Sequence, residues 1–218
     1  MLNRYTPGAH VSVADGLDLA SLLERHPEYV QKLGAGIDHF EVMMTVHGSQ
    51  CFCIVRTDGS KTDFSFMQAV AGRAPSRKQE VSQALRWAIR MDLYRARDAF
   101  FAENKGPDGM VSCAVTRERI KRDEGHMDHR PPMTFEVIVT TFLAGRGLAV
   151  DNVPITEGQD NQVVAELTDE SLRDAFVTYH AVVAKLDFVK SSINLAQASR
   201  NRIRPTRVRV PSSKLGDV

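Results

Sequence analysis

Two histidines and an aspartate fall within four consecutive positions, from His126 to His129. They follow a strand-like run at 110–116 and a charged turn, and they lead into a helix-like run at 134–143. Side chains alternate between the two faces of an extended segment, so we expect His126 and Asp128 on one face and His129 on the other. Any fold of this chain must accommodate this order of strand, turn, strand and helix.

An adjacent aspartate and histidine at the end of a strand can divide two chemical tasks. The Asp128 carboxylate can bind a hard cation, with Mg²⁺ expected first and Mn²⁺ or Zn²⁺ as alternatives. The His129 imidazole, with a reference pKa near ~6.5, can take a proton from water at neutral pH. The alternative is a hydrogen-bonded Asp–His pair of structural value only, and we favour the catalytic interpretation.

Composition limits the broad class of protein. The chain has 218 residues with 43% hydrophobic and 25% charged residues, which predicts a packed core, and its net charge of +1 means that any basic surface must be local. Three cysteines, Cys51, Cys53 and Cys113, favour a reducing cytoplasm over a disulfide framework, and the lack of a second Cys pair excludes a four-cysteine zinc site. The pattern predicts neither a membrane span nor a signal peptide.

The first half predicts a small antiparallel sheet. We interpret residues 1–16 as a loosely held arm and 17–33 as a helix broken at His26-Pro27. Alternating apolar residues and an Asp58-Gly59 turn then predict three short strands at 37–47, 51–56 and 62–66.

A long helix is predicted from Ser76 to Glu103, with a capping box at its start. Arg86, Arg90 and Arg97 lie beside its apolar face. Residues 71–97 hold seven Lys or Arg against two acids, a local charge of +5. This stripe fits a phosphate-contacting face and an ordinary solvated helix face equally well.

A series of short motifs runs through the first half: Leu22-Leu23, His26-Pro27, Lys32-x-Gly34-x-Gly36-Ile37, Cys51-Phe52-x-Ile54-Val55-Arg56-x-Asp58-Gly59-Ser60 and Asp63-Phe64-Ser65-Phe66. In this order they resemble the DCL domain, named for defective chloroplasts and leaves. In plants this domain is linked to ribosomal RNA maturation, and one copy is appended to a specialised RNA polymerase subunit. The resemblance implies a small α+β binding module associated with nucleic acid and without catalytic residues. At 67–69 the sequence departs from the family, which leaves the ligand open.

The second half carries Cys113-x-x-Thr116, a charged turn, and then His126-x-Asp128-His129-x-Pro131-Pro132-x-Thr134-Phe135. This pattern is similar to the HNH, or ββα-metal, nucleases, which use a divalent metal to cut nucleic acid. The resemblance implies His129 as the general base and Asp128 as a metal ligand. The helix at 134–143 lacks the His or Asn of most HNH proteins. The run Phe176-x-x-Tyr179-His180-x-x-x-Ala184-x-Leu186, followed by Asn194-Leu195, also resembles the end of these nucleases. That resemblance implies His180 as the missing ligand and an orienting role for Asn194. An edge-of-core histidine and a helix cap are the alternatives.

The basic tail from Arg200 to Lys214 holds six Lys or Arg and no acid, which suits phosphate contact without base specificity. The expected nucleic-acid-binding residues are Arg86, Arg90, Arg97, Arg130, Arg202, Arg204 and Arg207.

The sequence therefore predicts an α+β protein with a DCL-like module at 17–104, an HNH-like module at 109–199 and a basic tail at 200–218. The predicted function is metal-dependent cleavage of double-stranded DNA in the cytoplasm of a bacterial or phage-infected cell. The alternatives are a non-catalytic DNA- or RNA-binding protein and a protein-interaction factor.

Overall fold

A computed structural model describes residues 1–45, 50–63, 65–156 and 165–194. The chain divides into two compact units: unit 1 comprises Met1–Ile89 and Val139–Ala181, and unit 2 comprises Arg90–Ile138 and Val182–Val218. These units interleave along the sequence, whereas the predicted modules follow one another. The predicted basic tail, with Arg202, Arg204 and Arg207, lies outside the described residues.

Unit 1 is built on a three-stranded antiparallel sheet in the order β1-β2-β3. Its strands are β1 (Ile37–Met44), β2 (Gln50–Arg56) and β3 (Lys61–Asp63). This confirms the small antiparallel sheet of the predicted α+β fold. The third strand is shorter than predicted because Ser65 already caps the next helix, accepting a hydrogen bond from the Gln68 N–H.

The N-terminal segment is not the loose arm that the sequence predicts. Gly8 N–H donates to Val42 O over 2.7 Å, and Val11 N–H donates to Phe40 O over 2.8 Å. The segment therefore pairs with the free edge of β1. Val11 is buried in the core beneath the sheet, and this burial stabilises the pairing.

Four helices follow or flank the sheet: α1 (Val13–Leu23), α2 (Tyr29–Leu33), α3 (Phe66–Ala71) and α4 (Arg77–Ala88). The break between α1 and α2 contains the predicted His26-Pro27 interruption. Alternate residues of β1 and β2 pack with α1 and α3 in one buried cluster. Its members include Leu19, Leu23, Phe40, Val42, Phe52, Ile54 and Ala69.

The long helix predicted from 76 to 103 is wrong as a single element. Helix α4 ends at Ala88, and α5 (Arg90–Asn104) begins after Ile89. Ile89 has φ −95° and ψ 2° and is fully buried, so the chain bends where this side chain enters the interior. The predicted capping box is confirmed, with Ser76 and Gln79 bonding each other's backbone N–H.

Unit 2 contains α5 and two separate strand pairs. Strand β4 (Val111–Ser112) pairs with β5 (Arg119–Ile120), and β6 (Gly125–His129) pairs with β7 (Leu186–Lys190). The predicted hairpin between 110–116 and the strand that contains His126 is therefore not formed. Instead, the strand with His126, β6, pairs with the C-terminal strand β7. The reason is the core, in which Phe188 and Val189 of β7 pack with Val111, Cys113 and Ile120.

Two further helices, α6 (Phe135–Gly145) and α7 (Glu170–Val183), complete the described fold. Asp169 caps α7 by accepting from the Leu172 N–H at 3.0 Å. Helix α7 ends at Val183, and strand β7 begins at Leu186. In the described ranges no helix has the length and apolar character needed to cross a membrane.

Candidate functional site

Strand β6 presents the predicted site residues on its two faces. Gly125, Met127 and His129 share the inner face: Gly125 is buried against Phe188, and His129 is only 6% exposed. His126 and Asp128 take the outer face, where His126 is exposed and Asp128 is half-buried. The alternation predicted from the sequence is confirmed.

Pairing with β7 brings a second carboxylate to the outer face. Asp128 lies directly opposite Asp187 in the antiparallel register. Like charges in this position repel each other unless a cation lies nearby. Arg130 supplies one by forming an ion pair with Asp187, while the Arg130 N–H donates to Lys185 O at 2.8 Å. The sequence interpretation had no role for Asp187.

The His129 ring lies at the junction between β6 and α6. Its centroid is 5.2 Å from that of Phe135, the first residue of α6, with the ring planes tilted by 55°. Thr134 Oγ1 accepts from the Val137 N–H at 3.4 Å and caps the helix start. The capped helix therefore fixes the aromatic wall against which the imidazole rests.

His180 and Asn194 were the other predicted site residues. His180 lies on α7, in unit 1, and is 4% exposed, with its ring 6.2 Å from that of Phe176. Asn194 lies in unit 2, in the short helical segment 191–194 that follows β7. Metal ligation by His180 and the orienting role of Asn194 stay predictions.

The predicted arginine stripe is divided by the bend at Ile89, because Arg86 belongs to α4 while Arg90 and Arg97 belong to α5. The Arg97 Nε donates to Asp98 Oδ1 at 2.9 Å, and its guanidinium lies 5.2 Å from the Tyr94 ring centroid. Local pairing therefore accounts for part of this charge.

Cys113 is a buried thiol surrounded by hydrogen-bond donors. The Thr116 N–H and the Lys190 N–H donate to its Sγ at 3.5 and 3.3 Å. Burial raises the pKa of this thiol. Hydrogen bonds from the Thr116 side chain and from nearby backbone N–H groups together lower it by more than burial raises it, and the resulting pKa is about 7. Cys51 contrasts with it, because burial raises its pKa to about 11.

We expect Cys113 to couple the stability of unit 2 to pH. Its folded pKa of about 7 lies below the ordinary thiol value of 9.0, so between these values the unfolded chain binds more protons. The free energy of unfolding should therefore rise by about 2 kcal/mol from pH 7 to 9. The contribution of this thiolate to stability should be lost as the pH falls through 7. Thiolate absorbance should show a step near pH 7 that Cys113→Ser removes and Cys51→Ser retains; a step unaffected by Cys113→Ser would contradict the assignment.

Residues 1–70 match the family described as "Protein of unknown function (DUF3223)". The chain is 42% identical over 55 residues to "Protein DCL homolog, chloroplastic" of Arabidopsis thaliana. This N-terminal region is a DCL-like domain. It is also 42% identical over 52 residues to "DNA-directed RNA polymerase IV subunit 1" of the same plant. These stretches are 23% of this chain and only 24% and 4% of the two relatives.

One solved structure is also similar to part of this chain. The solution NMR structure of an uncharacterized protein from Rhodospirillum rubrum is 49% identical, covering 32% of this chain and 66% of the other, with a TM-score of 0.31.

The motif residues of the DCL-like domain have a structural role that the sequence interpretation missed. Arg56 donates from Nε to Lys32 O at 3.0 Å, from Nη2 to Gln31 O at 3.0 Å and from Nη1 to Ser60 Oγ at 3.1 Å. Gly34, at φ +50°, lies so close that an added Cβ would be 2.6 Å from Arg56 Nε. The arginine therefore clamps the end of α2 to the β2–β3 turn.

A buried ion pair lies beside this clamp. Lys32 Nζ is 3.6 Å from Asp63 Oδ1 and donates to Thr62 Oγ1 at 3.3 Å, and all three residues are buried. Removing one partner of such a pair leaves an uncompensated charge in the interior. The motif's Lys and Asp thus hold α2 against β3.

Arg56→Lys is expected to lower the free energy of unfolding of unit 1 by about 2 kcal/mol, because lysine cannot reproduce the arginine's fork of charged hydrogen bonds. Denaturant unfolding followed by Trp87 fluorescence measures it. Arg25→Lys is the matched control, since within the described ranges Arg25 makes one exposed side-chain bond, to Val70 O. Equal stability of the two variants would contradict the clamp.

Proposed function

We propose that this chain is a metal-dependent endonuclease whose chemistry centres on the end of β6. The observation that carries the proposal is the placement of adjacent Asp128 and His129 at the β6–α6 junction, with Asp187 in register opposite Asp128. A carboxylate pair and a separate imidazole are the groups that hydrolysis of a phosphodiester requires.

The carboxylate pair fits a hard divalent cation. Asp128 and Asp187 are both half-buried and are paired in register across the two strands, so they share one face with partial access to water. Two carboxylates in opposed positions favour a cation between them, and oxygen ligands are those that Mg²⁺ prefers. Bound there, Mg²⁺ would offset the negative charge that develops on the scissile phosphate.

Arg130 would act beside these carboxylates. In the structure its guanidinium pairs with Asp187. An arginine presents five donors in a planar fork, so it can keep one carboxylate oxygen and also contact a phosphate. We infer that Arg130 moves part of its bonding from Asp187 to the substrate when nucleic acid binds.

His129 would supply the base. His129 is the last residue of β6. Its imidazole would have to reach the attacking water around the end of the strand, because the carboxylate pair lies on the opposite face. Contact with Phe135 fixes the plane of the ring. The attacking water would thus be deprotonated at an imidazole nitrogen of His129 while Asp128 and Asp187 keep their charge.

The DCL-like domain supports nucleic acid as the substrate class. One relative that shares this stretch is named as a DNA-directed RNA polymerase subunit. We infer that the domain and the arginines of α4 and α5 bring the chain to nucleic acid, with double-stranded DNA as the expected target and the HNH-like centre as the catalytic part.

The test uses the full chain with supercoiled plasmid, and in parallel with single-stranded RNA, in Mg²⁺, in Mn²⁺ and in EDTA. Conversion to nicked and linear plasmid in Mg²⁺ or Mn²⁺, and its loss in EDTA, is the expected result. A gel shift without cleavage under every condition would replace the proposal with a binding function. If the chain neither binds nor cleaves nucleic acid, the result would favour a protein-interaction role.

A further inference from the structure

Three potential metal ligands meet on one face of the sheet in unit 1. His10, His39 and Glu41 each offer a ligand atom, and these atoms all lie within 4.8 Å of one another. The backbone builds the group, because His10 pairs with Glu41 in an antiparallel bridge and His39 lies two residues before Glu41 on β1. In the part of the chain that the structure describes, no other such group of three is found.

The tautomer of His39 is set by its neighbour. His39 Nδ1 is 2.6 Å from Asp38 Oδ2. An ionised carboxylate only accepts hydrogen bonds, so Nδ1 must carry the hydrogen. In the neutral ring Nε2 then carries the lone pair. Metal-bound histidines are commonly oriented in this way by a carboxylate on the other ring nitrogen.

The lone pair of His39 Nε2 has an unfavourable environment without a cation. This atom is buried and has no hydrogen-bond partner among the described residues. Its charged neighbour is the Glu41 carboxylate, with Oε2 3.9 Å away. A protonated Nε2 would still be too far from that oxygen to hydrogen-bond. A lone pair and a carboxylate that face each other at this distance instead suit a shared metal ion.

Lys61 pairs with Glu41 from the other side, so it does not take the place of a cation between His39 Nε2 and Glu41 Oε2. Its Nζ is 2.5 Å from Glu41 Oε1, and that hydrogen bond raises the pKa of the Lys61 ammonium. The ammonium therefore occupies one carboxylate oxygen and leaves Oε2 directed at His39. It also opposes a second cation at the same carboxylate.

We propose that His10, His39 and Glu41 bind a zinc-class divalent ion. Two imidazoles and one carboxylate suit Zn²⁺, with a fourth position left for water. Ligand bonds of about 2.1 Å at a tetrahedral angle place ligand atoms about 3.4 Å apart, so His39 and Glu41 need to close by about half an ångström.

The His10 ring must also turn. It stacks on His39 with centroids 4.1 Å apart and planes 17° from parallel, an arrangement in which two in-plane lone pairs do not converge on one point. His10 is exposed, so packing does not oppose its rotation. The bound ion would tie the N-terminal segment to β1, and this role is independent of the proposed nuclease.

The experiment is calorimetric titration of Zn²⁺ into the full chain at pH 7.5. His10→Ala and Glu41→Gln should each weaken the site at least tenfold, and Asp38→Asn should weaken it by about ten- to a hundredfold. His126→Ala, at an exposed histidine on β6, is the matched control and should bind as the unmodified chain does.

Lys61→Met gives the sharpest outcome, because it removes the competing ammonium and should increase zinc affinity. Zinc bound at the nuclease centre is recognised by its loss in Asp128→Asn, and zinc bound at Cys113 by its loss in Cys113→Ser. The proposal is overturned if His10→Ala and Glu41→Gln bind zinc as the unmodified chain does, or if the unmodified chain binds none.

Discussion

His129→Ala is expected to lower the rate of plasmid nicking at least a hundredfold while nucleic-acid binding is retained. A positioned general base contributes roughly 10²- to 10⁴-fold to the rate, and His129 is the proposed base, directly after Asp128 in the sequence at the β6–α6 junction. Initial rates of nicking in saturating Mg²⁺ measure the loss, and gel shifts measure the binding.

A matched pair of variants separates catalysis from folding. His129 is 6% exposed and contacts Phe135, so alanine also removes packing. His129→Gln keeps most of the volume without a base and should be equally inactive, whereas His126→Ala, on the outer face of the same strand, should be active. Nicking by folded His129→Gln at the unmodified rate would rule out the assigned base.

The two carboxylates should respond differently from the histidine. Asp128→Asn and Asp187→Asn each remove a charge from the proposed cation site, so the Mg²⁺ concentration for half-maximal nicking should rise. His129→Gln should leave that concentration unchanged, because the base is not a ligand. This contrast assigns the ligand and base roles to different residues.

Local sequence signals predicted the local structure well. The Ser76–Gln79 capping box, the break at His26-Pro27 and the alternation along β6 each depend on neighbouring residues, and the structure contains all three. The bend at Ile89 was missed because the helical spacing of apolar residues continues through it. The burial of that side chain outweighs the helical pattern there.

Long-range pairing could not be predicted in the same way. The partner of β6 is distant along the chain: Arg130, which follows β6, bonds to Asp187 of β7, 57 residues away. No spacing rule connects the two strands. Asp187 was missed as a site residue for this reason. His10 was missed because the segment that carries it was interpreted as an arm, although its pairing with β1 places it beside Glu41.

The DCL motif shows a different limit of sequence reasoning. The resemblance implied a binding module. In the structure, however, Lys32 and Asp63 form an ion pair with each other, and Arg56 hydrogen-bonds to backbone carbonyls of the same domain. A motif made of charged residues predicts a ligand only when those charges are left for it. Nucleic-acid contact by this domain would therefore depend on residues outside these three.

Gly125→Ala is expected to destabilise unit 2 by about 3 kcal/mol, the upper part of the usual range for overpacking. A Cβ at this position would lie 2.8 Å from Phe188 Cε1, and two other atoms of the ring would be closer still. Phe188 is 1% exposed and contacts Phe100 and Phe101, so it has little room to move. Thermal unfolding followed by circular dichroism measures the loss.

Sterics, and not backbone freedom, should explain the effect, because Gly125 has φ −111°, which any residue can adopt. Gly145→Ala is the control: its Cβ would meet nothing within 4 Å, and alanine at this helical position should be neutral or slightly stabilising. Adding Phe188→Leu to Gly125→Ala should recover stability relative to Gly125→Ala alone, because the smaller side chain vacates the space that the methyl group needs. If the double variant is instead less stable than either single variant, the ring is not the obstacle, and the close packing of β6 on β7 would need another explanation.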